Sequence, residues 1–260
     1  RASSGTMTVM LTAERKALVL ELLARDGRVV ARDLVARLDV SDDTVRRDLR
    51  ELAAEGRLIR VHGGAMPVSP ATQDFTARRS VATESKRVVA AAAAGLIESG
   101  STVFVDGGTT SLALCAQLPL TARATVITHA PTVAVALNDH PGVEVLLIGG
   151  RMYPHSVVTV GAVALEQLAG MRADLFFMGV SGIDAEAGLT TGDAEEAAMK
   201  RAFLQRAADT YVLASTEKLG TTARFRVAGL ADVTAAIHDG DADPDQLAAL
   251  SAAGLRLLPA

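Results

Sequence analysis

The chain has no stretch long enough to cross a bilayer. Its longest apolar run, Val88 to Ile97, is ten residues, against the roughly 20 a spanning helix needs. That run reads as a buried helix. Cysteine is almost missing. The single Cys115 excludes an internal disulfide framework and any cysteine-based zinc site. It also fits a reducing compartment, so a cytoplasmic location is expected. The start, RASSGTM, has no apolar signal core and is rich in Ser and Gly. It reads as a tail outside the fold. The histidines are few, and those at 62, 140 and 238 are scattered. No metal-ligand spacing is visible, so neither a metal nor a cofactor is expected. There is no large excess of either charge: 26 basic and 30 acidic side chains leave a net charge of −4.

What is present is ample core material. The chain has 260 residues, 49% of them hydrophobic, which excludes general disorder and suits one large domain or two smaller ones. Charge divides the chain. Residues 1–66 carry 12 basic and 10 acidic side chains, and the remainder carries 14 and 20. The asymmetry suggests two parts with different tasks without itself showing nucleic-acid binding.

In the first part, apolar residues of Glu14 to Arg25 fall at helical spacing until Asp26-Gly27 stops the helix. Ala31 to Leu38 reads as a second helix. A third starts after Ser41, a good N-cap, and runs to about Glu55. Three short helices with a tight turn before the last form the helix-turn-helix arrangement. On a helical wheel Val45, Leu49 and Leu52 face inward. Asp43, Arg47 and Arg50 face outward, with Thr44 and Arg46 on the flanks. Outward arginines reach guanine edges and phosphates in a major groove. The plain alternative is a solvated face of intrahelical pairs with Asp48 and Glu51. Arg57 to His62 alternates as a strand and Gly63-Gly64 permits a tight turn. A basic hairpin placed so is a wing, with Arg57, Arg60 and His62 as its contacts.

The run VSDDTVRRDLRELAAEGRLIRVHGGA, Val40 to Ala65, resembles the DNA-binding signature of the DeoR family of bacterial transcriptional regulators. Ser41, Asp43, Thr44, Arg46, Arg47, Arg50, Arg57, Arg60, His62 and Gly63 are the candidate DNA-binding residues. The expected boundaries are a winged helix-turn-helix domain over 8–66, a linker over 67–79 with Pro67 and Pro70, and a larger domain over 80–260.

In that larger part, apolar strands alternate with helical stretches. Strands are expected at 102–105, 125–128, 143–148, 175–180, 210–214, 233–237 and 255–258. The alternation argues an α/β layered domain with a mostly parallel sheet, which binds ligands beyond the carboxyl ends of its strands. At one such end stands Asp106-Gly107-Gly108-Thr109-Thr110-Ser111. Glycines admit an anion close to the backbone, and a helix N-terminus with hydroxyl donors follows. The loop lacks the endings of a Walker A or dinucleotide motif. The alternative is an ordinary cap after a βα turn. Other strand-end candidates are His129, Gly149, Arg151, Asp184, Glu196, Lys200 and Lys218. Glu196 and Lys200, one helical turn apart, also suit a plain surface pair. Tyr153-Pro154-His155-Ser156 reads as a surface loop.

Four segments extend the resemblance: VFVDGGTTSLALCAQL, VEVLLIGGRMYP, FFMGVSGIDAEAGLTTGDAEEAAMKRAF and YVLASTEKLG. They look like the sugar-phosphate-sensing domain of the same family, which is similar in fold to ribose-5-phosphate isomerase. The resemblance implies that Asp106 to Ser111 holds a ligand phosphate, with Asp184, Glu196, Lys200 and Lys218 at or near the sugar. Asp106 is assigned to a sugar hydroxyl or to holding the loop. One departure is His129 in Ile127-Thr-His-Ala130, where the family usually has Asn. His129 is therefore expected to tune which sugar fits.

The resulting expectation is a repressor that binds double-stranded operator DNA and is modulated by a phosphorylated sugar. Two half-sites call for a homodimer or homotetramer. The alternative is a sugar-phosphate isomerase using paired acids such as Asp184 and Glu196, but such an enzyme has no use for a winged helix.

Overall fold

The computed structural model describes residues 11–260. The tail RASSGTM and the expected domain start at residue 8 lie outside the described residues. The chain divides into two compact units between Val68 and Ser69.

The first unit contains α1 (Thr12–Asp26), β1 (Val29–Val30), α2 (Ala31–Leu38), α3 (Asp42–Ala54), β2 (Leu58–Val61) and β3 (Gly64–Pro67). Gly27 ends α1 in the left-handed region, and the Ser41 hydroxyl accepts from the Thr44 N–H to start α3. Val19, Leu22 and Leu23 of α1 lie at helical spacing and close on Leu34, Leu38, Val45, Leu49 and Leu52. The β2–β3 hairpin forms the expected wing. The two-residue β1, not foreseen from the sequence, pairs with β3 and makes a three-stranded antiparallel sheet in the order β1-β3-β2.

One core position is charged. Asp48, expected to pair on the surface of its own helix, instead faces inward and holds both Arg15 Nε and Arg15 Nη2 from α1. The side chains are only 6% and 2% exposed. A two-pronged contact of this kind fixes one helix against the other in both distance and angle.

The second unit opens where a linker was expected over 67–79. That stretch is folded. Ser69 is buried and caps a 3₁₀ turn over Pro70–Thr72. Asp74 caps α4 (Phe75–Arg78), and the Phe75 N–H donates to the His155 carbonyl. Prolines and short polar residues suit caps and turns as well as open linkers, so composition did not separate the two.

The unit continues through α5 (Thr83–Ala94), β4 (Ser101–Val105), α6 (Thr109–Gln117), β5 (Ala124–Thr128), α7 (Pro131–Ala136) and β6 (Val143–Leu147). Next come β7 (Arg151–Tyr153), β8 (Val158–Val160), α8 (Ala162–Ala169), β9 (Ala173–Met178), β10 (Gly182–Asp184), β11 (Gly188–Thr191) and α9 (Ala194–Leu204). It ends with β12 (Ala207–Leu213), β13 (Phe225–Ala228), β14 (Ala235–His238), α10 (Pro244–Ala252) and β15 (Leu257–Pro259).

All seven expected strands enter one parallel sheet, ordered β15-β14-β12-β9-β4-β5-β6. Its central strands carry unbroken apolar runs, Val103-Phe104-Val105 and Phe176-Phe177-Met178, buried as strands covered on both faces require. Phe203 of α9 packs on Phe104 and Phe176 at ring separations of 5.0 and 5.2 Å. The antiparallel pieces, β7–β8 and β10-β11-β13, lie between the expected strands and were not foreseen as strands.

The chain runs outward from β4 through β5 to β6, then returns to the other side of β4 as β9. The winding therefore reverses between β4 and β9. Connections leave that point in opposite directions and open a crevice at the carboxyl ends of both strands.

Asp48→Ala strands the buried Arg15 guanidinium. It is expected to cost about 3 kcal/mol, read as a lowered and separated calorimetric transition of the first unit in the full chain.

Candidate functional site

The crevice at the β4–β9 reversal is a narrow cleft lined by residues from the ends of both strands. One wall is the turn after β4. Gly107 presses against β8: a Cβ there would lie 2.1 Å from Val158 Cγ1. Gly108 has φ +121°, a conformation that side chains resist, and it caps α6. The first-turn N–H groups of Thr109, Thr110 and Ser111 therefore face the cleft without helical partners. The Ser111 hydroxyl is buried and has no hydrogen-bond partner.

Cations line the other walls. Lys218 lies in the 3₁₀ turn Thr216–Lys218 after β12 and donates to Thr110 Oγ1 at 3.1 Å and to the Leu213 carbonyl at 2.8 Å. Burial pushes its ammonium down to about 8, opposed in part by Glu217. Arg78 reaches in from the end of α4, donates to Ser156 Oγ, and lies 3.8 Å from where a Cβ on Gly108 would stand. Its Nε has no partner. Lys86 of α5 is buried behind Arg78 and donates to the Arg78 and Val81 carbonyls at 2.7 and 2.6 Å. Glu196 and Glu217 complete the lining, with Ser181 and Thr191.

Asp106 stands behind the loop, fully buried and saturated. Oδ1 accepts from the Gly107 N–H at 2.8 Å and contacts His129 Nε2 at 2.9 Å. Oδ2 accepts from the Gly179 N–H at 2.9 Å and from Lys200 Nζ at 2.5 Å. Burial pushes the carboxyl up, but Lys200 and His129 outweigh it and hold the group well below the usual carboxylate range.

Of the residues expected around a sugar phosphate, the structure brings Gly107, Gly108, Thr109, Thr110, Ser111, Glu196, Lys200 and Lys218 to one cleft. It does not bring the others. His129 is buried behind Asp106, its Nδ1 on the Thr159 carbonyl at 2.8 Å, so it is occupied by the protein and does not face a ligand. Asp106 has no capacity left for a sugar hydroxyl; of its two assignments, the geometry matches holding the loop. Arg151 is exposed and paired with Glu195. The Gly149 N–H is taken by Gln167 Oε1. Asp184 Oδ1 turns inside its own hairpin and accepts from the Glu186 and Ala187 N–H groups. Glu196 and Lys200 are both buried, not a surface pair. Sequence reading missed Arg78, Lys86 and Glu217, and took the Ser156 loop for surface. Arg78 and Lys86 carried no local signal. Glu217 stood beside Lys218 in a segment already noted.

In the first unit, Arg47, Arg50, Arg57, Arg60 and His62 are exposed, as are Ser41 and Asp43. Thr44 is half-buried and shares a hydrogen bond with the Ser41 hydroxyl. Arg46 pairs with Asp42 one turn away, whereas Arg47 and Arg50 have no ion pair among the described residues. Gly63 turns the wing at φ +77°. No group of acidic, histidine or cysteine side chains among the described residues is placed to hold a metal. No helix among them is long and apolar enough to cross a membrane.

A model of the DeoR-like helix-turn-helix domain matches residues 15–71, and one of the DeoR C-terminal sensor domain matches residues 81–240. The chain belongs to the DeoR family. It is 35% identical to the HTH-type transcriptional regulator GlpR of Haloferax volcanii, over 96% of this chain and 98% of that one. It is 33% identical to the transcriptional repressor GlcR of Bacillus subtilis, over 88% and 89%. It is 31% identical to the glycerol-3-phosphate regulon repressor of Escherichia coli, over 85% and 88%. Among solved structures it is similar to ribose-5-phosphate isomerase of Methanocaldococcus jannaschii, at 14% identity, 49% and 50% coverage and a TM-score of 0.36. The chain is a DNA-binding transcriptional regulator and not an isomerase. The acid pair proposed for the enzyme alternative is also not assembled, since Asp184 does not line the cleft.

An anion bound beside Lys218 would favour its ammonium form, so affinity for it would fall as pH rises through about 8. A sugar sulfate such as glucose 6-sulfate keeps its charge throughout this range. Calorimetric titration is expected to show it bound about tenfold more weakly at pH 9 than at pH 7, with Lys218→Gln removing the dependence.

Proposed function

We propose that this regulator is a cytoplasmic repressor of carbohydrate or polyol genes, released from double-stranded operator DNA by a phosphorylated sugar or related metabolite. The observation that carries the effector reading is the cleft at the strand reversal. There a glycine turn, the free N–H groups of α6, the unpartnered Ser111 hydroxyl, Lys218 and Arg78 face one another. Backbone donors with two cations suit a phosphate. The names of the relatives, which include a glycerol-3-phosphate regulon repressor, agree with that chemistry.

On the DNA side, α3 enters the major groove and its unpaired Arg47 and Arg50 read base edges. Arg57, Arg60 and His62 of the wing contact the backbone. Ser41, Asp43, Thr44, Arg46 and Gly63 shape or flank that surface. A single helix-turn-helix reads one half-site, so the working species is a homodimer or homotetramer. Release follows from linkage: an effector that prefers the conformation with lower operator affinity weakens operator binding, and the operator weakens effector binding by the same factor.

Genomic fragments captured by the full chain and sequenced supply the operator. Arg47→Ala is expected to weaken that operator about ten- to hundredfold. Arg60→Ala weakens all DNA more evenly and lowers the salt slope. Normal operator binding by the Arg47 variant at physiological salt overturns the assignment of α3.

Gly108→Val places a side chain at φ +121° beside Arg78. It is expected to leave operator binding intact while abolishing release by phosphate esters in an anisotropy assay. Equal calorimetric affinity of the wild type for a sugar phosphate and its unphosphorylated parent overturns the effector reading.

A further inference from the structure

The cleft contains a carboxylate that a phosphate site does not need. Glu217 precedes Lys218 in the 3₁₀ turn after β12 and lines the same cleft. Its side chain is only 7% exposed. Oε1 is engaged: Ser215 Oγ donates to it at 2.9 Å and the Lys86 ammonium stands 3.8 Å away. Oε2 is buried and has no partner. A buried, unpartnered carboxylate oxygen costs free energy unless a donor reaches it. It also repels a phosphate bound beside Lys218.

A ligand in the cleft can supply that donor, and its charge can be argued. Glu217 already faces the Lys86 ammonium, with the Lys218 ammonium and Arg78 guanidinium nearby. A further cation at Oε2 would crowd a fourth positive group against these three. A neutral hydroxyl satisfies the oxygen without that repulsion. Because Lys218 bonds Thr110 of the glycine turn, the hydroxyl belongs near the phosphate end of the molecule.

We propose that Glu217 is a specificity-determining residue of this cleft. Its free Oε2 accepts a hydrogen bond from a neutral hydroxyl near the effector's phosphate, which makes the effector a hydroxylated phosphate ester and not bare phosphate or an amino compound. The inference rests on the phosphate reading above and adds the second recognition point. Glu217 rejects simple anions by repulsion and accepts hydroxylated ones by hydrogen bonding, so one carboxylate both excludes and selects.

The test uses the full chain and calorimetric titration with propyl phosphate, glycerol 3-phosphate, fructose 6-phosphate and glucose 6-phosphate. The wild type is expected to bind at least one hydroxylated ester about tenfold or more tightly than propyl phosphate. Glu217→Ala shrinks that preference to about threefold or less and tightens propyl phosphate. Glu217→Gln keeps the shape and an acceptor while losing the charge, so it tightens propyl phosphate and retains part of the preference. A residue that merely supports the fold would weaken all four ligands by a common factor, and that result overturns the proposal. So does a preference unchanged in Glu217→Ala. Failure of the wild type to bind any of the four overturns the phosphate reading itself, and this inference with it.

Discussion

The second unit is organised around the carboxylate of Asp106. Four donors from four places converge on two oxygens: the next residue's N–H, the imidazole after β5, the N–H after β9, and an ammonium from α9. Burying an isolated carboxylate in an apolar core is prohibitive, so the group is tolerable only when this set is complete. Completeness is a geometric demand. The ends of β4, β5 and β9 and the second turn of α9 must stand at fixed distances from one point. The turn that follows Asp106 inherits that precision, which is how Gly107 and Gly108 come to present α6's first N–H groups to the cleft.

The first unit repeats the device in simpler form. Its core is small, and aliphatic packing alone tolerates sliding of one helix on another. The Arg15–Asp48 contact removes that freedom, because two parallel hydrogen bonds between planar groups accept one arrangement. It also faces Asp48 inward, while Arg47 and Arg50 on the same helix point outward. The surface proposed to read DNA is thus positioned by an ion pair on its hidden side.

How far the sequence disclosed this depends on the range of each signal. Local patterns served well: apolar runs gave all seven parallel strands, helical spacing gave α1 to α3, and Ser41 and Gly27 marked helix ends as expected. The glycine turn was legible because its chemistry is contiguous. What failed was long-range. Asp48 seemed a surface partner because nothing local reveals Arg15, 33 residues away. His129 seemed a ligand contact because strand ends usually face ligands, yet its ring is consumed by Asp106 and Thr159. Asp184 seemed to stand at the sugar until its own hairpin claimed it. The segment 67–79 read as a linker because caps and linkers share a composition. Arg78 and Lys86 had no motif at all, since Arg78's place in the cleft and Lys86's place behind it follow from α4 and α5 docking.

Charge counting shows the same limit with more consequence for function. Along the sequence, the cleft candidates include as many acids as bases, which does not suggest an anion site. Geometry regroups them. Asp106 absorbs Lys200, Glu217 faces Lys86 with only one of its oxygens, and Asp184 is elsewhere. What remains toward the ligand is Lys218 and Arg78 beside a row of backbone donors, with Glu196 and the second oxygen of Glu217 opposite. In a buried cleft such groups are weakly screened, so each sign is felt separately and not as a net sum. A molecule with a dianionic end and hydroxyls satisfies both walls, whereas a simple anion meets one wall and is repelled by the other. In the proposed reading, selectivity thus arises from pairs of opposite charges, some spent on the protein and some left for the ligand, and only the folded arrangement says which are which.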